Sequence, residues 1–318
     1  IKNFSKTQSF ALIPSRFPQL INRNKNKFSI TNLHWVNRET LSIEDIYKIK
    51  TKIVWSCHDM WPFSGSYHLY RKNVSNYNSF KFKDKFLNFD YWTWQRKKKL
   101  FNKKKIYFIA PSRWIRDQAL RNKVIKKENI TVIGNPIDCK FWKKTNKNLC
   151  YEKLNIEKNL KYIVFGGNNI VNDKNKGFDL AVDIFNLLKK KNKFNFKVLF
   201  FGSNYIDKKN IEFSFKNFGI VEDKKILRQI YSISELCLIT SKTESFCQVA
   251  AETQSCSTPV IAFKTSGLND VVKNDYSGYL ISKYKSELFA DKISKLINDK
   301  KKILKMSNNA QNFINKNY

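Results

Sequence analysis

The sequence predicts an α/β fold of two Rossmann-like domains, 1–145 and 146–318. Three observations predict it. A chain of 318 residues, 42% of them apolar, has material for two cores of ordinary size. Short β-rich apolar runs alternate with helix-period segments, the pattern of parallel strands covered on both faces. The alternation restarts after a polar, Lys/Asn-rich stretch at 143–161.

In the first domain "FSITNLHW" (28–35), "KIVWSC" (52–57), "KIYFIA" (105–110) and "ITVIG" (130–134) read as strands. A helix is expected from Ser112, a suitable N-cap, through "RWIRDQALR". The run "QRKKKLFNKKK" (95–105) reads as a solvated helix face, with an anionic-lipid contact as the sharper alternative. In the second domain "YIVFGG" is a strand ending in two glycines. A helix over 178–190, the strand "FKVLFF" (196–201) and a strand within "IEFSFKNFG" follow. Next come a helix "KKILRQIYS", the strand "ELCLIT" (235–240), a helix in "ESFCQVAAE" and the strand "PVIAF" (259–263). Helices at 285–297 and 299–315 close the chain.

The net charge of +34 is extreme. Only nine of the 60 basic residues are Arg, and Lys, Asn, Ile and Phe are all heavily used, as in a protein from an AT-rich genome. Compositional drift accounts for much of that charge; an anionic membrane surface or an acidic acceptor is the functional alternative. Clustered Arg, an RNP-like aromatic strand and zinc spacing are all absent, so nucleic acid is not an expected partner. The six cysteines form no CxxC pair, which fits idle thiols in a reduced compartment. No stretch approaches the roughly 18 apolar residues of a membrane span, and "IKNFSKTQSF" lacks the apolar core of a leader. The expected location is the cytoplasm, with the inner face of the cytoplasmic membrane as a peripheral surface.

The stretch "ESFCQVAAE" carries Glu244 and Glu252 at its ends, directly after a strand. Ligands of open α/β sheets sit at such strand-to-helix turns. A helix N-terminus offers free N–H groups and partial positive charge to a phosphate, while carboxylates accept from sugar and ribose hydroxyls. A nucleotide-sugar needs these contacts together. The rival reading is a helix with acids at solvated positions, and two Glu at this spacing occur often by chance. The context "ESFCQVAAETQSCSTPVIAFKTSGLNDVV" separates the two.

That context resembles the GT-B glycosyltransferases of family 4, whose E-x7-E motif matches Glu244 and Glu252. The resemblance covers nearly the whole chain. "TPVIAFKTSGLNDVVKNDYSGYLI" and "FGGNNIVNDKNKGFDLA" resemble segments of the family's second domain; "IAPSRWIRDQAL" and "VIGNPIDCKFW" resemble the end of its first. "LHWVNRETLS" and "VWSCHDMWPFSG" resemble the subgroup that builds bacterial exopolysaccharides of the colanic-acid type. The resemblance implies two domains facing across a cleft, the donor bound by the second. It also implies that about one β–α–β unit belongs before Ile1, so that the chain reads as incomplete at its start.

Residue by residue, the resemblance implies that Lys176 neutralises the diphosphate, Glu252 holds ribose and Glu244 the donor sugar. Ser245, Phe246 and Cys247 supply the helix N-terminus. Gly166 and Gly167 let the backbone pass close to the donor. The resemblance places the family's Arg at Gly167 or Asn168, where this chain has none; a second cation on the diphosphate or hydrogen bonds from Asn168 are the alternatives. The rival readings are a surface lysine and a plain strand-end turn. His58 faces the donor sugar from the first domain; Asp59 orients His58, meets the acceptor or caps the next turn. His68 lies in "SGSYHLY", on the acceptor side, without the cysteines of the subgroup. His34 reads as a packing residue or a support for another site residue. Cys247 and Cys256 read as core.

The implied activity is retaining transfer of a sugar from a UDP- or GDP-sugar to a lipid-linked or growing polysaccharide, in exopolysaccharide, capsule or O-antigen synthesis. No D-x-D occurs, so no metal and no separate cofactor are expected. No carboxylate pair is placed as in a glycosidase. Base recognition is expected near "FGSNYID" and "FGIVED". Two alternatives stand beside this: another GT-B nucleotide-sugar enzyme such as an epimerase, and a non-catalytic basic membrane-binding protein.

Overall fold

The computed structural model describes residues 8–37, 40–68, 88–191, 195–282 and 285–318. Most of the N-terminal stretch read for a leader, part of "LHWVNRETLS" and the end of "SGSYHLY" lie outside these residues. The chain divides into two compact units, Ile1–Gly134 and Asn135–Tyr318. Residues 135–145, expected in the first, belong to the second. Ile137 and Trp142 are buried in its core, and the Trp142 ring packs 5.7 Å from that of Tyr231.

Among the described residues, the first unit has four parallel strands in the order β1 (Ile30–His34), β2 (Lys52–Ser56), β3 (Ile106–Ala110), β4 (Ile130–Val132). Its helices are α1 (Phe17–Arg23), α2 (Ile43–Lys48), α3 (Phe89–Lys103) and α4 (Arg113–Arg121). Ser112 caps α4 as expected, accepting from the Ile115 N–H at 3.2 Å. A capping box not foreseen starts α2: the Ser42 hydroxyl accepts from the Asp45 N–H, and the Asp45 carboxylate accepts from the Ser42 N–H. Apolar side chains of β2 and β3, Ile53, Trp55, Ile106 and Phe108, meet helix residues Leu100, Ile115 and Ala119 in one core.

The basic run at 95–105 is helical through Lys103, but it is not simply a solvated face. Lys97 has no exposed surface. Its ammonium donates to the carbonyls of Trp61, Ser64 and Gly65, the last two at 3.1 and 2.6 Å, and sits 3.6 Å over the Trp61 ring. Three carbonyls and a ring face satisfy a charge that burial would otherwise make very costly.

Among the described residues, the second unit has six parallel strands in the order β10-β9-β8-β5-β6-β7. They are β5 (Lys161–Gly166), β6 (Phe196–Phe201), β7 (Phe215–Asn217), β8 (Leu236–Ile239), β9 (Val260–Phe263) and β10 (Gly278–Ile281). The helices are α5 (Lys147–Leu154), α6 (Phe178–Lys191), α7 (Lys224–Ile233), α8 (Gln248–Ser255), α9 (Leu268–Val271), α10 (Ser286–Asn298) and α11 (Lys300–Asn317). Alternate residues of each inner strand go to opposite faces, as the two-residue period requires. Ile163, Phe165, Leu236 and Leu238 join α6 and α10; Tyr162, Val164, Cys237 and Ile239 join α7 and α8. That double burial explains why these strands read as unbroken apolar runs.

The helix expected over 244–252 begins only at Gln248. Cys247 adopts a left-handed conformation, φ 86°, and residues 244–246 form a loop before it. The loop is held from the side: the Glu244 N–H donates to Ser266 Oγ and the Gly267 N–H donates to the Glu244 carbonyl, each at 2.8 Å. No described helix is long and apolar enough to cross a membrane.

Candidate functional site

Strand order in the second unit reverses between β5 and β8: the chain moves to one side through β6 and β7, and to the other through β9 and β10. A crevice opens at such a switch point, beyond the carboxyl ends of the two strands. Most of the residues expected to bind the donor lie on the two loops that leave β5 and β8.

Those loops are stitched together. The Asn175 side chain donates to the Thr243 carbonyl at 2.7 Å and accepts from its N–H at 3.1 Å. The Lys242 N–H donates to the Asn175 carbonyl at 2.9 Å. The Thr240 hydroxyl lies 2.7 and 2.8 Å from the carbonyls of Lys176 and Gly177. Gly177 has φ 67°, and a Cβ there would come within 2.6 Å of the Thr240 carbonyl. Only glycine fits this approach and this conformation. At the far end of β5 the Gly166 position has no room for a Cβ, because the Phe201 ring occupies it.

Lys176 and Glu244, assigned to the diphosphate and the sugar, are paired with each other at 2.8 Å. Burial works against the lysine charge, but the charge and hydrogen bond of Glu244 outweigh it and hold its pKa above the ordinary value. Glu252 lies one turn into α8 and is partly buried. Burial raises its pKa, partly offset by a hydrogen bond from Gln248 at 3.2 Å. The Tyr231 hydroxyl is 3.5 Å from its other oxygen. Ser245 is partly exposed and Asn168 is exposed. Phe246 and Cys247 are buried, so they offer backbone rather than side chain. Cys256 is buried too. The segments expected near the base meet beyond β6 and β7, where the Gly202 N–H donates to the Gly219 carbonyl at 2.7 Å and the Ile220 N–H to Asn204 Oδ1 at 2.9 Å.

The first unit gathers a second polar cluster beyond β1 and β2. Asp59 is buried, and both its oxygens are engaged. Oδ1 accepts from the Trp61 N–H at 2.9 Å; Oδ2 accepts from the Trp35 indole at 3.0 Å and lies 2.7 Å from His68 Nδ1. That distance gives His68 Nδ1 the donor role to the carboxylate. His58 is tied to His34 rather than to Asp59, through Nε2 and Nδ1 at 2.8 Å. His34 is exposed at the strand end and is not a packing residue. Burial lowers the pKa of His58, His34 lowers it further, and Asp59 opposes both.

The comparisons with known proteins agree with this architecture. The family described as "Glycosyl transferases group 1" matches residues 143–313, more than half of the chain. The chain belongs to that family. The family "Glycosyltransferase Family 4" matches residues 4–141, which completes the expected GT-B pair of domains. The capsular polysaccharide biosynthesis glycosyltransferase CapM of Staphylococcus aureus is 29% identical over 201 residues, 60% of this chain and 52% of CapM. The uncharacterized glycosyltransferase MJ1178 of Methanocaldococcus jannaschii is 31% identical over 147 residues, 44% of this chain and 40% of that protein. The chain thus spans about half the length, or less, of these curated relatives. Among solved structures, a glycosyltransferase from Rickettsia africae aligns with TM-score 0.69 and 19% identity, over 100% of this chain and 79% of that one. Anabaena HepE in complex with UDP and glucose aligns with TM-score 0.71 and 16% identity, over 96% and 78%.

Asn175, Thr240 and Ser266 carry the second unit's loops, and none was singled out from sequence. Asn175 stands one residue before Lys176 and could have been suspected there; nothing in "ELCLIT" marks Thr240 as different from a strand-end residue.

Proposed function

We propose that this chain carries the donor site of a retaining, metal-independent glycosyltransferase. It moves a sugar from a UDP- or GDP-sugar to a lipid-linked or growing polysaccharide in bacterial exopolysaccharide, capsule or O-antigen synthesis. The observation that carries this reading is the clasp at the switch point. It presents an ammonium, a carboxylate, an uncapped helix N-terminus and a second carboxylate one turn along the helix, all beyond the carboxyl ends of β5 and β8. Lys176 and the first N–H groups of α8 take the diphosphate charge. Glu252 accepts from ribose hydroxyls and Glu244 from the donor sugar. His58 is the first unit's contribution, as the family resemblance implies. In the reaction the bond from anomeric carbon to diphosphate oxygen breaks. The acceptor hydroxyl oxygen bonds that carbon on the same face, and its proton passes to the departing diphosphate. CapM supports a polysaccharide acceptor, and the HepE complex makes UDP the first nucleotide to try.

Calorimetric titration with UDP and GDP tests this. Saturable binding of one of them is expected, weakened at least about tenfold in Glu252→Ala, the loss of one or two charge-assisted hydrogen bonds. Glu244→Ala slows transfer more than it weakens nucleotide binding. Equal and negligible effects of both substitutions overturn the assignment.

A specific observation favours a membrane partner as well. Phe89 and Trp92, 62% and 57% exposed, share one stripe of α3 with Lys99 and Lys103. Exposed Tyr47 and the Lys99 and Lys103 side chains border the same hollow. Aromatic and basic groups together suit an anionic bilayer. Co-sedimentation with phosphatidylglycerol vesicles, absent with neutral ones and reduced in Trp92→Ser, is the expected result.

A further inference from the structure

We propose that His34 is a positioning residue for His58: the two rings share one bridging proton, and His34 decides which character the outward nitrogen of His58 presents. The inference rests on the reading of His58 as part of the transfer machinery. Its basis is geometric. β1 and β2 run parallel with His34 opposite Ser56, so the end of β1 lies beside the chain as it leaves β2 two residues before His58. His34 Nδ1 and His58 Nε2 are 2.8 Å apart, and the ring centroids 5.1 Å.

At that separation one hydrogen lies between the two nitrogens. Two neutral imidazoles carry two ring protons. One fills the bridge; the other must sit on the outer nitrogen of whichever ring accepts the bridge. The two outer nitrogens, His34 Nε2 and His58 Nδ1, therefore have opposite characters, one an N–H and the other a lone pair. If His58 Nδ1 donates to a ligand oxygen, His34 Nδ1 must donate the bridge and His34 Nε2 is bare. A proton taken up there makes the pair a monocation with N–H at both ends. A further proton breaks the bridge.

The surroundings within the first unit favour this pairing. Asp59 is the acidic group acting on His58, but its oxygens are already engaged by Trp61, Trp35 and His68. Beside His34 and His58 on the strands, Ser56 donates to Asn32 at 3.2 Å, a neutral contact that brings no charge to the pair. The tautomer of His58 is thus left to His34.

The chain has three histidines, so 15N-histidine labelling of the whole chain gives three assignable rings. Their nitrogen shifts between about pH 5 and 8 report tautomer and charge directly. In the native chain one His58 tautomer is expected to dominate. In His34→Phe the His58 midpoint should rise and its two tautomers should become comparably populated, while the His68 tautomer is unchanged. His34→Asn, whose amide can replace Nδ1, should restore the tautomer bias. An unchanged midpoint and tautomer ratio in His34→Phe overturns the proposal. If that variant does not fold, two comparably populated His58 tautomers in His34→Asn overturn it instead. A tautomer independent of His34 alongside lost transfer in His58→Ala leaves the transferase reading intact. A locked tautomer alongside normal transfer in His58→Ala removes His58 from the machinery.

Discussion

The two units place their chemistry at the same topological position, the carboxyl ends of parallel strands, but build it from different parts. In the second unit the site is largely backbone. Glycines allow close approach, short side chains of Asn175, Thr240 and Ser266 bond the main chain of the loops, and Phe246 and Cys247 contribute main chain while their side chains are buried. In the first unit the site is side chain: one buried carboxylate held by an indole and an imidazole, with a buried ammonium underneath. A frame built on close backbone approach should fail most when a Cβ is added. A cluster built from buried side chains should fail most when one donor or acceptor is removed.

The largest effect is expected from Gly202→Ala. Gly202 has φ 99°, and a Cβ there would fall inside the Gly167 carbonyl. The backbone conformation alone costs about 1–3 kcal/mol, and the clash adds to it. Hydrogen exchange should show loss of protection around β5 and β6 and loss of nucleotide binding, while the first unit keeps its protection. A variant as stable as the native chain would contradict the close approach.

Next is Lys97→Met in the first unit. Methionine fills a similar volume but leaves the carbonyls of Trp61, Ser64 and Gly65 without their donor. Each unsatisfied buried group costs about 1–3 kcal/mol, less what is regained by removing a buried charge. A loss of about 2–4 kcal/mol, confined to the first unit and greatest in the loop at 57–68, is expected from hydrogen exchange. A smaller loss of about 1–2 kcal/mol is expected for Asn175→Ala, which removes two hydrogen bonds between the loops. UDP affinity should fall with it, since Asn175 fixes the loop that carries Lys176.

What was legible in the sequence follows the same division. The inner strands of the second unit are buried on both faces, so "FKVLFF" and "ELCLIT" announce themselves as apolar runs. Glu244, Glu252 and Lys176 are legible because charged residues stand out between such runs. Asn175, Thr240 and Ser266 are not, because their work is to bond main chain, and many residues at loop positions look alike. Lys97 is hidden among neighbouring lysines: about half a helical turn separates it, bonded to three carbonyls, from the exposed Lys99. The start of α8 was misread because Cys247 takes a left-handed conformation that its residue type does not advertise.

The smallest effect, and the one that most sharpens the comparison, is expected from Glu244→Gln. The Lys176–Glu244 pair is only partly exposed, and such a pair contributes about 1 kcal/mol or less. The fold should therefore lose little. The change in Lys176 should be larger. Glu244 holds its pKa above 10.5 against burial, so without the carboxylate burial prevails and the pKa falls. Because the folded value is raised in the native chain, the pair stabilises the fold below the ordinary lysine pKa. That contribution fades as pH rises through the raised value. Melting curves at alkaline pH should show this decline in the native chain and not in the variant. Near neutral pH the ammonium remains charged but is released from its carboxylate, so UDP should bind as tightly as before or up to about tenfold tighter. Transfer should still be slowed if Glu244 meets the donor sugar as proposed, because a neutral amide accepts from hydroxyls more weakly than a carboxylate. UDP binding weakened as much as in Glu252→Ala would mean that Glu244 holds the nucleotide rather than the sugar.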